Sequence, residues 1–263
     1  MKKILAITVL VLSVLASSCV PQKDILYLQN KDNASDTTHI ISEVQKPYRV
    51  QIHDMLNIRV KALDQDIVKM FNPVGEANLN AGSAERAYFD GFTVDLHGDI
   101  RIPTLGKVSV LGYTTEEIEK IIEKKLLEEQ FKETANIFVT VKLTGLRFTA
   151  NGEVGSPGTI TLYQERVNIF EAIANVGEIP VTGDKKDILI IRQYPQGQQI
   201  HHLDLTDISV MQSPYYYIQP NDIIYVKPIK QKTWGTGTTG VQSFTTIVSI
   251  LSLLTTTIIL ISR

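Results

Sequence analysis

Few residues of this 263-residue chain have the type and spacing to do chemistry. The stretch "GTGTTG", residues 235–240, matches the G-x-G-x-x-G of dinucleotide-binding loops, whose glycines let backbone amides approach a pyrophosphate. That chemistry also needs an acidic residue about 20 positions downstream to hold a ribose. No Asp or Glu follows Asp222, so the glycines read instead as a flexible hinge. The histidines are His39, His53, His97, His201 and His202. Neighbours on a strand point to opposite faces, so the last two cannot share one metal. There is no G-x-S-x-G nucleophile, and Glu116 and Glu117 are accounted for as acids favoured by a helix N-terminus. Tyr215, Tyr216 and Tyr217 offer rings that could stack on sugars, with packing in a core or subunit interface as the alternative. The chain is therefore not expected to be an enzyme, and no catalytic residue, metal ligand or cofactor is expected.

Two features remain, one at each end. Cys19 is the only cysteine. It follows Lys2 and Lys3, an apolar run over 4–15, and the small residues Ala16, Ser17 and Ser18. This is the layout of a secretory signal peptide, and it resembles the lipobox of bacterial lipoproteins, in which the cysteine is acylated after cleavage. With no second cysteine, internal disulfides are excluded and the exported body must be held by its cores.

At the other end, residues 244–261 are uncharged and rich in Ser and Thr. At about 1.5 Å rise per residue such a segment spans roughly 27 Å, close to a hydrocarbon thickness of about 30 Å. A helical wheel places Thr245, Ser249, Ser252 and Thr256 on one stripe, with Ile247, Leu251, Leu254 and Ile258 on the opposite side. A strand would scatter this pattern over both faces. One hydroxyl face and one apolar face suit a stave of a ring, pore-lining within and lipid-facing without.

Composition between these ends is that of a folded protein, with 43% hydrophobic and 21% charged residues and a formal net charge of -2. No basic face is concentrated anywhere, which argues against a nucleic-acid partner. Residues 19–46 are mostly polar with one apolar knot at Ile25, Leu26, Tyr27 and Leu28, a tether expected to dock this knot on a neighbour. From residue 47, alternating Val50, Ile52, Leu56, Ile58 and Val60 predict strands broken by a turn at His53 and Asp54. His97 to Asp99 and 103–106 read as hairpin turns. Thr114 with Glu117 makes a capping box ahead of Ile118, Ile121, Ile122 and Leu126 on one helical face. A strand over 137–143 closes this unit. In the next, strands are expected over 146–154, 159–162, 188–192, 199–204 and 223–226, with a helix over 169–176 capped by Asn168 and Glu171 and ended by Gly177. The fold class is α+β, two small β-rich domains with one helix each, followed by an amphipathic transmembrane helix. An echo links them: "VQIHDMLNI" (50–58) and "IQPNDIIYV" (218–226) share Gln and Asp in register, through duplication or because turn-plus-strand units look alike.

On "YRVQIHDMLNIRV", "DGFTVDLHGDIRIPTLGKVSVLGYTTEEIEKII" and "ANIFVTV", then "ANGEVGSPGTITL", "NIFEAIANVGEI" and "YIQPNDIIYV", the chain resembles the outer-membrane polysaccharide export proteins, the Wza-type family of capsule and exopolysaccharide translocons. The resemblance implies a lipoprotein signal peptide at 1–18, a lipid-anchored tether at 19–46, a polysaccharide export domain at 47–144 and an SLBB-type β-grasp domain at 145–228. A Gly/Thr hinge at 229–240 and a barrel helix at 241–263 follow. It departs from the family in carrying His53 where Gly usually precedes the turn Asp, and in having one β-grasp repeat where many members have more. The implied protein is a homo-oligomeric ring in the outer membrane, body in the periplasm, exporting a surface polysaccharide through its helical barrel alongside an inner-membrane co-polymerase or chain-length partner. The alternative is a lipoprotein binding module for glycan or an envelope partner, with the tail only an anchor.

Overall fold

The computed structural model describes residues 21–31, 47–62, 65–72, 89–131, 136–194, 196–233, 245, 248–253 and 255–256. The signal peptide, Cys19 and the G-x-G-x-x-G stretch lie outside them.

Residues 55–61 alternate apolar and polar side chains, and β1 (Met55–Lys61) accordingly buries Leu56, Ile58 and Val60 while Asn57, Arg59 and Lys61 face out. A short helical turn, α1 (Gln65–Val68), runs into a 3-10 turn (Lys69–Phe71) that returns Phe71 to the core. Asn72 ties this excursion back to β1, its side chain accepting from Val60 N at 3.0 Å and donating to Val60 O at 2.7 Å. β1 pairs antiparallel with β2 (Phe92–Thr93) on one side and with β5 (Phe138–Leu143) on the other. A separate hairpin is made by β3 (Asp99–Ile102) and β4 (Gly106–Ser109).

Helix α2 (Thr115–Glu129) opens with the expected capping box: Thr114 Oγ1 accepts from Glu117 N, and Glu117 Oε2 accepts from Thr114 N at 2.8 Å. Ile118, Ile122 and Leu126, spaced by four, are fully buried, and each contributes about 1.5–3 kcal/mol of burial. Glu119 Oε1 accepts from Val141 N at 2.8 Å, locking the helix to β5.

The second unit is a five-stranded sheet in the order β7-β6-β10-β8-β9, built from β6 (Leu146–Gly152), β7 (Gly158–Leu162), β8 (Gly183–Tyr194), β9 (Gly197–Leu203) and β10 (Ile223–Pro228). β6 and β10, first and last in the chain, lie side by side and parallel; every other pair is antiparallel. Two hairpins flank the parallel central pair, and α3 (Ile169–Asn175) buries Ile169, Ala172 and Ile173 in the core of this unit. Asn168 and Glu171 cap α3 reciprocally. Gly177 (φ 81°) takes the left-handed conformation that ends it, and Glu178 N returns to Ile173 O at 3.1 Å.

Three expectations need correction. Residues 50–52 are not a strand: Val50 bonds Tyr113 and Gly112 across a loop, and Gln51 already begins the turn. The strand expected over 188–192 runs from Gly183 to Tyr194, because Asp184 to Asp187 form a charged, bulged start that conceals the alternation. The hinge does not begin at residue 229: Ile229 N bonds Thr182 O at 2.9 Å, and Lys230–Thr233 is a helical turn whose Lys232 pairs with Glu153. Residues 22–31, which include the apolar knot of the tether, dock on the chain's own second unit.

Candidate functional site

The echoed segments fold into one structure twice. In each, a Gln-x-x-Asp turn places the residue before Asp in the left-handed region, His53 at φ 70° and Asn221 at φ 66°. The Asp N–H bonds the Gln carbonyl at 3.2 Å in both. The Asp side chain reaches back to the Gln N–H, at 2.8 Å for Asp54 and 2.7 Å for Asp222. Each Asp also passes its own carbonyl to the neighbouring chain, Asp54 O to Val94 N at 2.9 Å and Asp222 O to Thr149 N at 3.0 Å. Both carboxylates are buried.

The two turns meet. Asn221 Nδ2 donates to Asp54 Oδ1 at 3.5 Å, and Tyr48 OH donates to Asp54 Oδ2 at 2.6 Å. Burial, with the Asp54 carboxylate beside it, pushes the Tyr48 phenol up. On the other side Arg192 holds Asp222 bidentately, Nε to Oδ1 at 2.9 Å and Nη2 to Oδ2 at 2.7 Å, and its Nη2 also donates to Tyr217 O. Burial pushes both carboxyls up; at Asp222 the guanidinium opposes it, at Asp54 only neutral donors and the nearby His53 do. This arrangement links the two units through the Asn221–Asp54 contact. It has no exposed nucleophile or acid–base pair.

A second constellation clamps the tether. Tyr27 meets Phe170 edge-on at 5.5 Å between centroids, carries Lys185 Nζ 3.9 Å over its other side, and donates its hydroxyl to Glu178. Leu28 N and Gln29 N bond Leu205 O at 3.1 Å and Thr206 O at 2.8 Å; Ile208 N bonds Gln29 O. Lys186 pairs with Asp24, and Lys31 with Asp204 at 2.6 Å. Burial holds the Lys185 ammonium below its usual value.

Of the C-terminal stripe, Thr245, Ser249, Ser252 and Thr256 are helical and exposed. Ser249 Oγ donates to Thr245 O at 2.8 Å and Ser252 Oγ to Ser249 O at 3.0 Å, and Thr256 Oγ1 bonds Ser252 O. These back-bonds satisfy the hydroxyl protons within the helix, so the stripe asks less of its surroundings than its composition suggests. Leu251 is exposed; Ile247, Leu254 and Ile258 lie outside the described residues, as does Cys19. No helix among the described residues is long and apolar enough to cross a membrane.

His201 and His202 on β9 do face opposite ways. His201 stacks on Tyr215 at 3.7 Å, whereas His202 bonds Asp187 on the outer face. Among the described residues no group of His, Cys, Asp and Glu is placed to hold a metal. Tyr216 is in the core, Tyr217 lies under Arg166, and Tyr215 is covered by His201, so the three rings serve packing. Sequence reasoning missed Arg192, Tyr48 and the partners of Tyr27. Arg192 had a signal: it shares the inward parity of Ile188 and Ile190, where a charge needs a buried partner.

Comparison with known proteins bears on the first unit. Residues 42–144 match the family described as polysaccharide biosynthesis/export protein. Over 98 residues the chain is 28% identical to the EPS I polysaccharide export outer membrane protein EpsA of Ralstonia nicotianae, covering 36% of this chain and 23% of that one. The EPS I polysaccharide export outer membrane protein EpsA of Ralstonia solanacearum is 26% identical over the same length, with the same coverage. The chain thus spans about a quarter of the length of these relatives. By its first unit, residues 42–144, the chain is similar to the polysaccharide biosynthesis/export family.

Proposed function

We propose that this chain is the repeating subunit of an outer-membrane exporter for a capsular or extracellular polysaccharide. Cys19 is acylated and anchors it, the body lies in the periplasm, and the C-terminal segments of several copies assemble into a helical barrel. In this reading Thr245, Ser249, Ser252 and Thr256 line the pore and Ile247, Leu251, Leu254 and Ile258 meet lipid. The second unit is an SLBB-type β-grasp domain that spaces the export unit from the barrel. A co-polymerase or chain-length protein of the inner membrane supplies the polymer, and no chemistry is done on it.

The observation that carries the reading is the matched export unit, residues 42–144, on the same chain as a C-terminal segment whose described residues are helical and set Thr245, Ser249, Ser252 and Thr256 on one stripe. A lone Ser- and Thr-rich segment gains little from lipid, which suits a helix that is inserted only by assembling with its copies. Native mass spectrometry and negative-stain imaging of the detergent-extracted full-length protein test it. A closed ring is expected; a monomer would transfer the reading to an anchored binding module.

A further inference from the structure

The two ends of the second unit's sheet are occupied differently. β10 begins directly after the Asp222 turn, whose Asn221 touches Asp54 of the first unit, and finishes at Pro228, where the chain departs. Six strand residues at about 3.3 Å rise set these ends roughly 20 Å apart. At the departing end Pro228 pairs with Gly183, Ile229 bonds Thr182, and Lys232 pairs with Glu153. The N-terminal strap docks at this same end. Its Tyr27 engages Glu178 and Lys185, and its Asp24 engages Lys186. Its backbone pairs with residues 205–206, and Leu205 N in turn bonds Lys185 O at 2.9 Å. Residues 178–187 therefore hold both the incoming and the departing segments of the chain.

The strap also fixes distance. Without it, residues 19–46 fully extended could span roughly 90 Å and leave the sheet free to tumble. With it, two residues separate Cys19 from Gln22, and the three Cα–Cα steps reach about 11 Å. Beside the clamp two apolar side chains have no cover, Leu26 and Val181, each 48% exposed.

We propose that this end of the second unit rests on the phospholipid surface of the membrane. Leu26 and Val181 enter the headgroup region, Lys23 faces the lipid phosphates, and the strap is a clamp that sets the acyl chain of Cys19 beside the emerging C-terminal segment. The inference rests on the acyl-anchored, membrane-bound reading above and adds the surface that meets the bilayer.

Full-length acylated protein in vesicles of phosphatidylethanolamine and phosphatidylglycerol carrying brominated acyl chains provides the test. In a Trp234→Phe background, tryptophan is placed singly by Val181→Trp, Leu26→Trp, Tyr163→Trp or Phe138→Trp. Tyr163 follows Leu162, which pairs with Leu146 at the opposite end of the sheet, and is 65% exposed; Phe138 is in the first unit and 63% exposed. Interfacial apolar side chains sit roughly 5–10 Å into the headgroup boundary, so emission from the first two variants is expected to fall about two-fold or more and that from the others to stay unchanged. Tyr27→Ala added to Val181→Trp should leave flotation with the vesicles intact and weaken the quenching. If the protein floats but Val181→Trp is unquenched, or Tyr163→Trp is quenched as strongly, the contact surface is wrong while the anchor stands. If it does not float, the anchored reading fails and the contact surface with it.

Discussion

At Asp222 a buried carboxylate is met by a guanidinium from the adjacent strand; at Asp54 the same turn carries the same buried carboxylate, met by a tyrosine hydroxyl and amides. The backbone explains the identity of the two aspartates. Each caps the Gln N–H of its turn while its carbonyl bonds the next chain. The neighbouring strands explain the difference. β10 lies beside β8, twelve residues long, whose inward parity supplies Arg192. β1 lies beside β2, two residues long, which supplies only backbone. Asp54 is therefore completed from outside its own sheet, by Tyr48 and by Asn221 of the second unit. The weaker of the two turns is the one the junction protects.

The largest effect should come from removing the guanidinium. Arg192→Ala leaves Asp222 buried without a counter-charge, a loss of about 3–5 kcal/mol, read as a lower urea midpoint for the second unit. Tyr48→Phe removes a neutral donor from Asp54 and should cost less, about 1–3 kcal/mol; a cost equal to that of Arg192→Ala would erase the distinction between the turns. The pH dependence should report on the Asp54 turn. Burial raises the Asp54 carboxyl in the folded protein above its ordinary value of 3.8. Between those two values the folded state holds more protons than the unfolded, so stability falls as pH rises through the window. Asp54→Asn should flatten that slope, measured by thermal unfolding across the acid range, and an unchanged slope would remove Asp54 as its source. The smallest effect concerns the left-handed residues. Replacing the β-carbon at position 53 by His53→Gly should stabilise by roughly 1 kcal/mol, whereas Asn221→Gly should gain less, because it also loses the contact with Asp54.

Much of this was legible in the residues. Alternation over 55–61, both capping boxes and Gly177 are local signals, and the structure reproduces them with ends shifted by one or two residues. The echo of Gln and Asp was visible as a pattern, but its meaning was not, because the donors that satisfy each carboxylate lie on other strands and in another unit. Asp184 to Asp187 hid the start of β8 because four charged positions carry no alternation; their partners, Asp24, Tyr27, Leu205 and Lys227, are distant in sequence. The Tyr27 clamp was legible only as an apolar knot in a polar tether. The stripe of Thr245, Ser249, Ser252 and Thr256 was legible as a pattern, while the back-bonds that quiet its hydroxyls require the helix itself.

The central claim is that this stripe faces water inside an assembled pore. Single cysteines in the full-length protein, with Cys19 acylated and so silent, test it most directly. Ser249→Cys and Ser252→Cys are expected to react with a small charged thiol reagent in intact assemblies, and Leu251→Cys and Leu254→Cys to resist it. Equal labelling of the two sets would contradict the pore and leave the C-terminal segment as an anchor.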